Sequence, residues 1–292
     1  MKIAYEKNLR LSWPNIARLV QTNEIIDEYA AEGYRLTLRQ LYYQLVSRNI
    51  VANTKAEYGK LSGLLVKGRM AGFTDWDAIE DRIRVPRLPY WVNGVEDALD
   101  DTVAAYRLDR MKGQENYIEL WVEKDALSGV LMPITNEYHI NLMVNRGYSS
   151  CTAMHDAFTR IEAAVGCGQR ATILYLGDHD PSGLDMVRDI RSRLETFGAD
   201  TNVLDVIGIG LTMNQIQEHN PPPNPAKITD PRAKGYIRLF GPTSWEVDAL
   251  NPKVLHALVR NNVERLIDRE LFNQRIEQEA RDKETLRELS GR

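Results

Sequence analysis

The sequence has few cysteines and no long apolar run. Only Cys151 and Cys167 are present, and two thiols supply neither a disulfide framework nor a four-ligand zinc site. No stretch of about 20 apolar residues occurs, so we expect no membrane-spanning helix. The opening stretch "MKIAYEKNLRLSWPN" carries charges of both signs and lacks the apolar segment of a secretion signal. These absences favour a protein of the reducing cytoplasm.

Two nucleotide-binding signatures are also missing. The sequence contains no G-x-x-x-x-G-K-[ST] loop, which argues against a Walker-type nucleotide site. It has no G-x-G-x-x-G fingerprint either, because the "GCG" at 166–168 precedes a predicted strand, whereas a dinucleotide loop follows one. With 292 residues the chain has room for one or two domains with a full apolar core.

Charge is distributed unevenly along the chain. The net charge is −4, but residues 1–94 carry 14 Lys and Arg against 10 Asp and Glu, whereas the remainder carries 23 against 31. A basic binding module joined to a carboxylate-rich domain shows this asymmetry. We therefore divide the chain into a domain at 1–94 and a second domain at 95–292.

The first domain has the pattern of three helices followed by a turn-rich segment. Apolar residues recur at helical spacing in 14–31 and 38–49, and a third, basic helix begins after Thr54. The segment 73–84 resembles a β-wing, so we predict a winged helix-turn-helix that binds duplex DNA. A small helical bundle with a solvated charged face is the alternative. The residues expected to contact phosphates are Lys55, Lys60, Lys67 and Arg69.

The second domain alternates apolar β-rich runs with helical stretches. This alternation predicts βαβ units and an open, parallel α/β sheet. The predicted strands are 117–122, 140–145, 171–177 and 202–209, and the predicted intervening helices are 125–138, 151–165 and 183–197.

Acidic residues follow two of these predicted strands. Glu123 comes after the first strand, and Asp178 and Asp180 come after the third, in "LYLGDHDPSGLDM". Functional sites form at the carboxyl ends of parallel strands, so we expect the three carboxylates to converge there. Three unpaired carboxylates repel one another and need a cation. Oxygen-only ligands favour Mg²⁺, and His179 as the single nearby imidazole argues against zinc or copper.

A pair of tyrosines in "RQLYYQL" lies on the second predicted helix. Tyr42 and Tyr43 point about 100° apart on a helix, so one can pack inward while the other faces outward. Arg39 lies on the same face as Tyr43, four residues earlier. A phenol beside a guanidinium is a possible nucleophile, but on these residues alone both tyrosines are interpreted as structural.

Several motifs together resemble one family of DNA-cleaving proteins. "IELWVEKDAL", "NRGYSSCTAMHDAF" and "LYLGDHDPSGLDM" resemble, in this order, the Toprim domain of topoisomerase VI A subunits and of the related meiotic double-strand-break transesterase. The pattern D-x-D-P-x-G is matched fully, and Glu123 is followed by Lys124 as in the family. "TLRQLYYQL" resembles the family's catalytic segment. The turn at 147–149 has Ser149 where the family usually has Pro, and the chain is compact beside the topoisomerase subunits.

The resemblance, which spans about residues 37–250, implies DNA cleavage by transesterification and a role for each of the site residues. Tyr43 would be the nucleophile, Tyr42 the aromatic residue before it, and Arg39 its helper. Glu123, Asp178 and Asp180 would bind Mg²⁺, and the topoisomerase-like reaction would leave a 5′-phosphotyrosyl link.

The resemblance further implies a homodimer in which each site is shared between two chains. An ATPase partner is an open question, as is a nucleoid, plasmid or phage context. "SWEVDALNP" resembles the family's acidic C-terminal segment only loosely, so Glu246 receives no role. A Toprim nuclease that uses water, or a DNA-binding protein without activity, are the alternative functions.

Overall fold

The computed structural model describes residues 2–6, 9–80, 89–145, 147 and 149–289. Three helices come first: α1 (Trp13–Ala31), α2 (Leu38–Ser47) and α3 (Lys55–Met70). Pro14 stands in the first turn of α1, where its missing N–H costs no hydrogen bond. Thr37 and Gln40 cap α2 reciprocally, and Thr54 caps α3 through its hydroxyl. The three predicted helices are confirmed.

The predicted wing is not confirmed. Within the described part of the segment, 73–80, the chain forms a 3-10 turn (Trp76–Ala78) and an isolated bridge between Leu36 and Ile79, but no strand. The turn forms because Asp75 Oδ1 accepts a hydrogen bond from the Asp77 N–H at 2.9 Å. Residues 81–84 of the predicted wing lie outside the described residues, as do residues 85–88.

The second half forms the expected α/β sheet. Its four strands are all parallel, and every predicted strand is confirmed. Across the sheet the order is second, first, third and fourth strand along the chain. The connecting helices also agree with the prediction, apart from a 3-10 turn (Asp125–Leu127) that opens the first. The strands are β1 (Asn116–Val122), β2 (Asn141–Val144), β3 (Arg170–Leu176) and β4 (Leu204–Gly210). Helix α4 (Val95–Ala105) precedes the sheet, and α5 (Ser128–Tyr138), α6 (Cys151–Gly166) and α7 (Gly183–Phe197) connect its strands.

Strand alternation places a separate core on each face of the sheet. Leu120 and Leu174 pack on one face, under α5 and a later helix, α10 (Pro252–Glu264). Trp121 and Tyr175 pack on the opposite face, under α6 and α7. Burial on both faces explains why these strands read as continuous apolar runs in the sequence.

After β4 the chain returns across the carboxyl edge of the sheet. Helix α10 and the long helix α11 (Arg269–Leu289) end the described chain. A 3-10 turn (Val247–Ala249) packs against α2, and Ala249 belongs to the same apolar cluster as Leu41. The first three helices are therefore in direct contact with the segment that crosses the carboxyl edge of the sheet. The remaining elements are α8 (Met213–His219), β5 (Asn224–Pro225), α9 (Ala233–Phe240) and β6 (Thr243–Ser244).

No helix among the described residues is both long enough and apolar enough to cross a bilayer.

Candidate active site at the carboxyl edge of the sheet

The predicted acids come together at the carboxyl ends of β1 and β3. The N–H of Glu123 donates to Leu176 O at 3.0 Å, which joins the two strand ends. The N–H of Asp178 in turn lies 3.3 Å from Glu123 Oε2. Asp178 and Asp180 are buried, with 7% and 5% of their surface exposed, whereas Glu123 is half-buried. The sheet thus places a carboxylate from each strand at one edge, as expected.

Asp180 is held rigidly by the turn that follows it. Its Oδ1 accepts hydrogen bonds from the Ser182 N–H and hydroxyl, both at 2.9 Å, and from the Gly183 N–H at 2.6 Å. A Cβ at Gly183 would lie 2.1 Å from Asp178 O, so this position has no room for a side chain. The D-x-D-P-x-G motif therefore has a steric basis: the glycine lets the turn close over Asp180.

The segment 243–250 passes along this edge and adds two further carboxylates. His179 and Trp245 exchange backbone hydrogen bonds of 2.9 and 3.1 Å, and the Val247 N–H donates to Asp178 Oδ1 at 2.9 Å. His179 is buried and its ring contacts the Tyr236 hydroxyl at 2.8 Å, so the histidine acts as an anchor for this segment. The pairing brings Glu246 and Asp248 to the site.

Lys124 lies at the centre of three carboxylates. Its Nζ is 3.0 Å from Asp178 Oδ2, 2.8 Å from Glu246 Oε2 and 2.8 Å from Asp248 Oδ1. Burial alone would lower the pKa of this ammonium, but the three carboxylates outweigh burial and raise the pKa above its usual range. Lys124 therefore stays charged and holds the carboxylates together.

Tyr43 and Arg39 of α2 reach the same site. The Tyr43 hydroxyl donates to Glu246 Oε2 at 2.8 Å, and Arg39 Nη2 lies 3.3 Å from the Tyr43 oxygen. Arg39 also forms ion pairs with Glu246 and, at 3.1 Å from Nε to Oδ2, with Asp248. The two residues predicted from "RQLYYQL" are thus joined to the acidic edge through Glu246 and Asp248.

Tyr42 faces a different environment from Tyr43. Its hydroxyl lies 3.1 Å from Thr54 O and 3.2 Å from Ala52 O, so it ties α2 to the start of α3. Its ring packs edge-on against Tyr58. Of the two tyrosines, Tyr43 is thus the one whose hydroxyl contacts a carboxylate at the edge of the sheet.

The site shifts the pKa values of its acids and of Tyr43 in different directions. Burial and the charges of Asp248 and Glu246 raise the pKa of Tyr43 to about 12. Burial also raises the pKa of Asp178, to about 7. For Glu246, burial is outweighed by Lys124 and Arg39, which lower the pKa to about 2. Glu246 is thus a permanent anion, and Tyr43 is a protonated phenol in this arrangement.

Five carboxylates and three cationic side chains lie together at the carboxyl edge of the sheet. We call this group the acidic cluster, and it has two more negative than positive formal charges. Its members are Glu123, Asp178, Asp180, Glu246 and Asp248, with Arg39, Lys124 and Lys227.

The acidic cluster fits a hydrated divalent ion in chemistry, but its ligands are not preassembled. Within the described ranges, no three acidic, His or Cys side chains stand in coordinating geometry. Of the three predicted ligands, Asp178 has both oxygens engaged, Oδ1 by the Val247 N–H and Oδ2 by Lys124, whereas the turn engages only Oδ1 of Asp180. Asp180 Oδ2 has Lys227 as its neighbour, at 3.9 Å, and Glu123 adds a second carboxylate nearby. Mg²⁺ commonly takes one or two carboxylates and keeps several waters, so Glu123 and Asp180 are the residues suited to hold it.

The predicted DNA-binding residues do not form one stripe. Lys60 and Lys67 lie on the same face of α3 and line a groove of about 470 Å³ together with Arg18 of α1. Lys55 is exposed near the start of the helix, outside this groove. Arg69 turns away: it is half-buried, and its Nη2 donates to Ile79 O at 3.2 Å. Glu57 also lines the groove and pairs with Lys60 at 2.7 Å, so the groove between α1 and α3 carries three cationic side chains and one carboxylate.

Four members of the site were not predicted from the sequence. Glu246 received no role, Asp248 and Lys227 were not considered, and Lys124 was noted only as part of the resemblance. The available signal was the pair of acids in "SWEVDALNP", spaced two residues apart like Asp178 and Asp180. Tyr148, part of the turn compared with the family, lies outside the described residues.

Comparison of the chain with protein-family models, with curated proteins and with solved structures finds no match in any of the three.

Proposed function

We propose that this protein cleaves DNA by transesterification, with Tyr43 as the nucleophile and Mg²⁺ as the cofactor. The observation that carries the proposal is the hydrogen bond of 2.8 Å between the Tyr43 hydroxyl and Glu246, which joins a phenol to the acidic cluster. Phenol, guanidinium and carboxylates from four separate parts of the sequence meet at the carboxyl edge of a parallel sheet. Active sites of open α/β sheets form at this edge.

Each group has a role in the proposed reaction. The phenol oxygen of Tyr43 attacks a backbone phosphorus, the bond from phosphorus to the 3′ oxygen breaks, and a 5′-phosphotyrosyl link and a 3′ hydroxyl result. Glu246 orients the Tyr43 hydroxyl by accepting its hydrogen bond. Because the pKa of Glu246 is about 2, Glu246 does not keep the phenol proton, which ends on the leaving 3′ oxygen and makes it the hydroxyl. Arg39, paired with Glu246 and Asp248 before DNA binds, stabilises negative charge on the phosphate. Glu123 and Asp180 would hold Mg²⁺, which would supply Lewis-acid stabilisation of phosphate charge.

Duplex DNA and a second copy of the chain are the proposed partners. The groove lined by Arg18, Lys60 and Lys67 supplies positive charge for phosphates without reading the sequence. A two-fold dimer would present two tyrosines to opposite strands, which suits a staggered double-strand break and a topoisomerase-like change of topology. The same proposal includes a location in the cytoplasm, with the DNA. An ATPase partner is compatible with it but is not required for cleavage.

One observation favours a second function, a nuclease in which water attacks. The pKa of Tyr43 is raised to about 12 by burial and by two carboxylates, and a protonated phenol is a poor nucleophile. In the resting arrangement its oxygen is also engaged by Glu246 and Arg39. Transesterification therefore requires that a bound phosphate or cation first loosen these contacts, whereas hydrolysis does not require it.

The two functions are separated by trapping the cleaved DNA. Supercoiled plasmid is incubated with the protein and Mg²⁺, denatured, and extracted with phenol. We expect wild type and Tyr42→Phe to leave DNA in the phenol phase until protease is added, because Tyr42 bonds only to main-chain and polar groups of its own domain. Tyr43→Phe should form no protein-linked DNA.

The remaining outcomes decide against the proposal. If Tyr43→Phe cleaves the plasmid and leaves the DNA free of protein, the nuclease is correct. If wild type leaves the plasmid intact with Mg²⁺, neither cleavage function holds.

A further inference from the structure

The proposed reaction uses no residue from the carboxyl end of β2, which lies at the same edge of the sheet. Asn145 follows β2 directly, and its N–H donates to Val122 O at 2.8 Å, which continues the parallel ladder beyond Val144. Its surface is 6% exposed, so the side chain is more than nine-tenths buried. Among the described residues, neither the amide nitrogen nor the amide oxygen of Asn145 has a hydrogen-bond partner.

An unpartnered buried carboxamide is costly. A buried polar group without a partner loses its hydration and gains no hydrogen bond in return, so native structures rarely contain both a donor and an acceptor in this state. Ser149, which follows in the same loop, also has a buried hydroxyl without a partner in the described part of the chain. Arg193 donates to Ser149 O at 2.6 Å. Ser149 is thus held in place, while its hydroxyl and the carboxamide of Asn145 remain available to a ligand.

The sheet register places this carboxamide beside Glu123. Val122 pairs with Val144 in the parallel ladder, and one residue further the register pairs Glu123 with Asn145. Side chains that pair in a parallel ladder leave the sheet on the same face. Glu123 and Asn145 therefore share the face of α6 and α7, whereas Lys124 and Asp178 lie on the opposite face with the segment 243–250.

We propose that Asn145 is the neutral oxygen ligand of the divalent cation, completing with Glu123 and Asp180 the cation site of the proposed function. Carboxamide oxygens are ordinary ligands of hard divalent ions, and the amide nitrogen donates to a water or phosphate oxygen in the same coordination shell. The acidic cluster supplies the negative charge that attracts the ion, and Asn145 adds an oxygen without adding repulsion. The inference rests on the proposed function, since it concerns the same cation.

The test measures Mn²⁺ binding to the full chain without DNA, by calorimetry or electron paramagnetic resonance. We expect Asn145→Ala to weaken Mn²⁺ binding about ten-fold. Asn116→Ala is the matched control, because Asn116 lies at the opposite end of the sheet, where its amide donates to Leu266 O. Its affinity should equal that of wild type. Glu123→Gln should weaken Mn²⁺ binding as well, which establishes that the cation lies at this edge.

The outcomes separate this inference from the proposed function. Wild-type Mn²⁺ affinity in Asn145→Ala, together with weakened binding in Glu123→Gln, overturns the role of Asn145 and leaves the cation site standing. Wild-type affinity in both variants removes the cation site and with it the proposed cofactor. If Asn145→Ala does not fold, Asn145→Asp decides: a ligand position retains or strengthens Mn²⁺ binding when it gains a charge, and weakened binding overturns the inference.

Discussion

The hydroxyl of Tyr43 donates a hydrogen bond of 2.8 Å to Glu246 Oε2, across 203 residues of sequence. Glu246 also contacts Lys124 at 2.8 Å, and Lys124 contacts Asp178 at 3.0 Å. One continuous polar chain therefore links the helix that carries the candidate nucleophile to the strand end that carries the D-x-D motif.

Removal of the Glu246 charge should make Tyr43 more acidic. Burial is the main reason why the pKa of Tyr43 is raised to about 12, and the charges of Asp248 and Glu246 raise it further. In Glu246→Gln we expect the Tyr43 pKa to fall below that value. The measurement is the phenolate absorbance as a function of pH, taken as the difference between each protein and its Tyr43→Phe counterpart. An unchanged titration would mean that the hydrogen bond does not persist in solution.

Replacement of Lys124 by Met should destabilise the fold strongly. The substitution leaves Asp178, Glu246 and Asp248 without their shared counter-ion, and breaking a buried ion pair in this way costs about 3 kcal/mol. Lys283→Met is the matched control, because its side chain is similarly buried but pairs with one carboxylate, that of Glu279, at 3.1 Å. Urea unfolding should show the larger loss for Lys124→Met. Equal losses would show that the three-carboxylate arrangement has no special weight.

Neutralisation of the groove between α1 and α3 should weaken DNA binding for every sequence alike. Lys60→Gln with Lys67→Gln should reduce the log–log salt slope of binding by up to about 2, because each phosphate contact contributes about one unit. The control replaces Lys112 and Lys283, which lie outside this groove. The measurement is fluorescence anisotropy with two unrelated duplexes over a salt series. A slope equal to that of wild type would place the DNA on another face.

The mixing of two inactive variants decides whether a site is built from one chain or two. The resemblance implied sharing between chains, because Tyr43 and the acids lie on separate domains. In the structure Tyr43 reaches Glu246 of its own chain, so we expect mixed dimers of Tyr43→Phe and Glu123→Gln to remain inert. The measurement is nicking of supercoiled plasmid after subunit exchange, with mixed dimers verified by affinity tags. Nicking by the mixture would show that Tyr43 serves the partner's acids and that the resting contact is broken in the working dimer.

Periodicity and local motifs were sufficient to predict the first three helices, the four strands of the sheet and the helices α5, α6 and α7 that connect them. The four strands are buried on both faces, so their apolar runs stand out against the amphipathic helices between them. Thr37 and Thr54 mark helix starts because a hydroxyl can accept the orphan N–H groups of a first turn. The β-wing was wrong for its described part, since turn-rich composition does not distinguish a hairpin from a 3-10 turn such as Trp76–Ala78.

The sequence by itself also determined that Glu123, Asp178 and Asp180 would meet, because parallel strands end at one edge and the residues after them share it. Only the tertiary structure decided the partners of these acids. Lys124 turns to the face opposite Glu123 because consecutive residues leave a strand on opposite sides, and there it meets Glu246 and Asp248. Those two carboxylates arrive through the pairing of Trp245 with His179, a long-range backbone contact that no local pattern encodes.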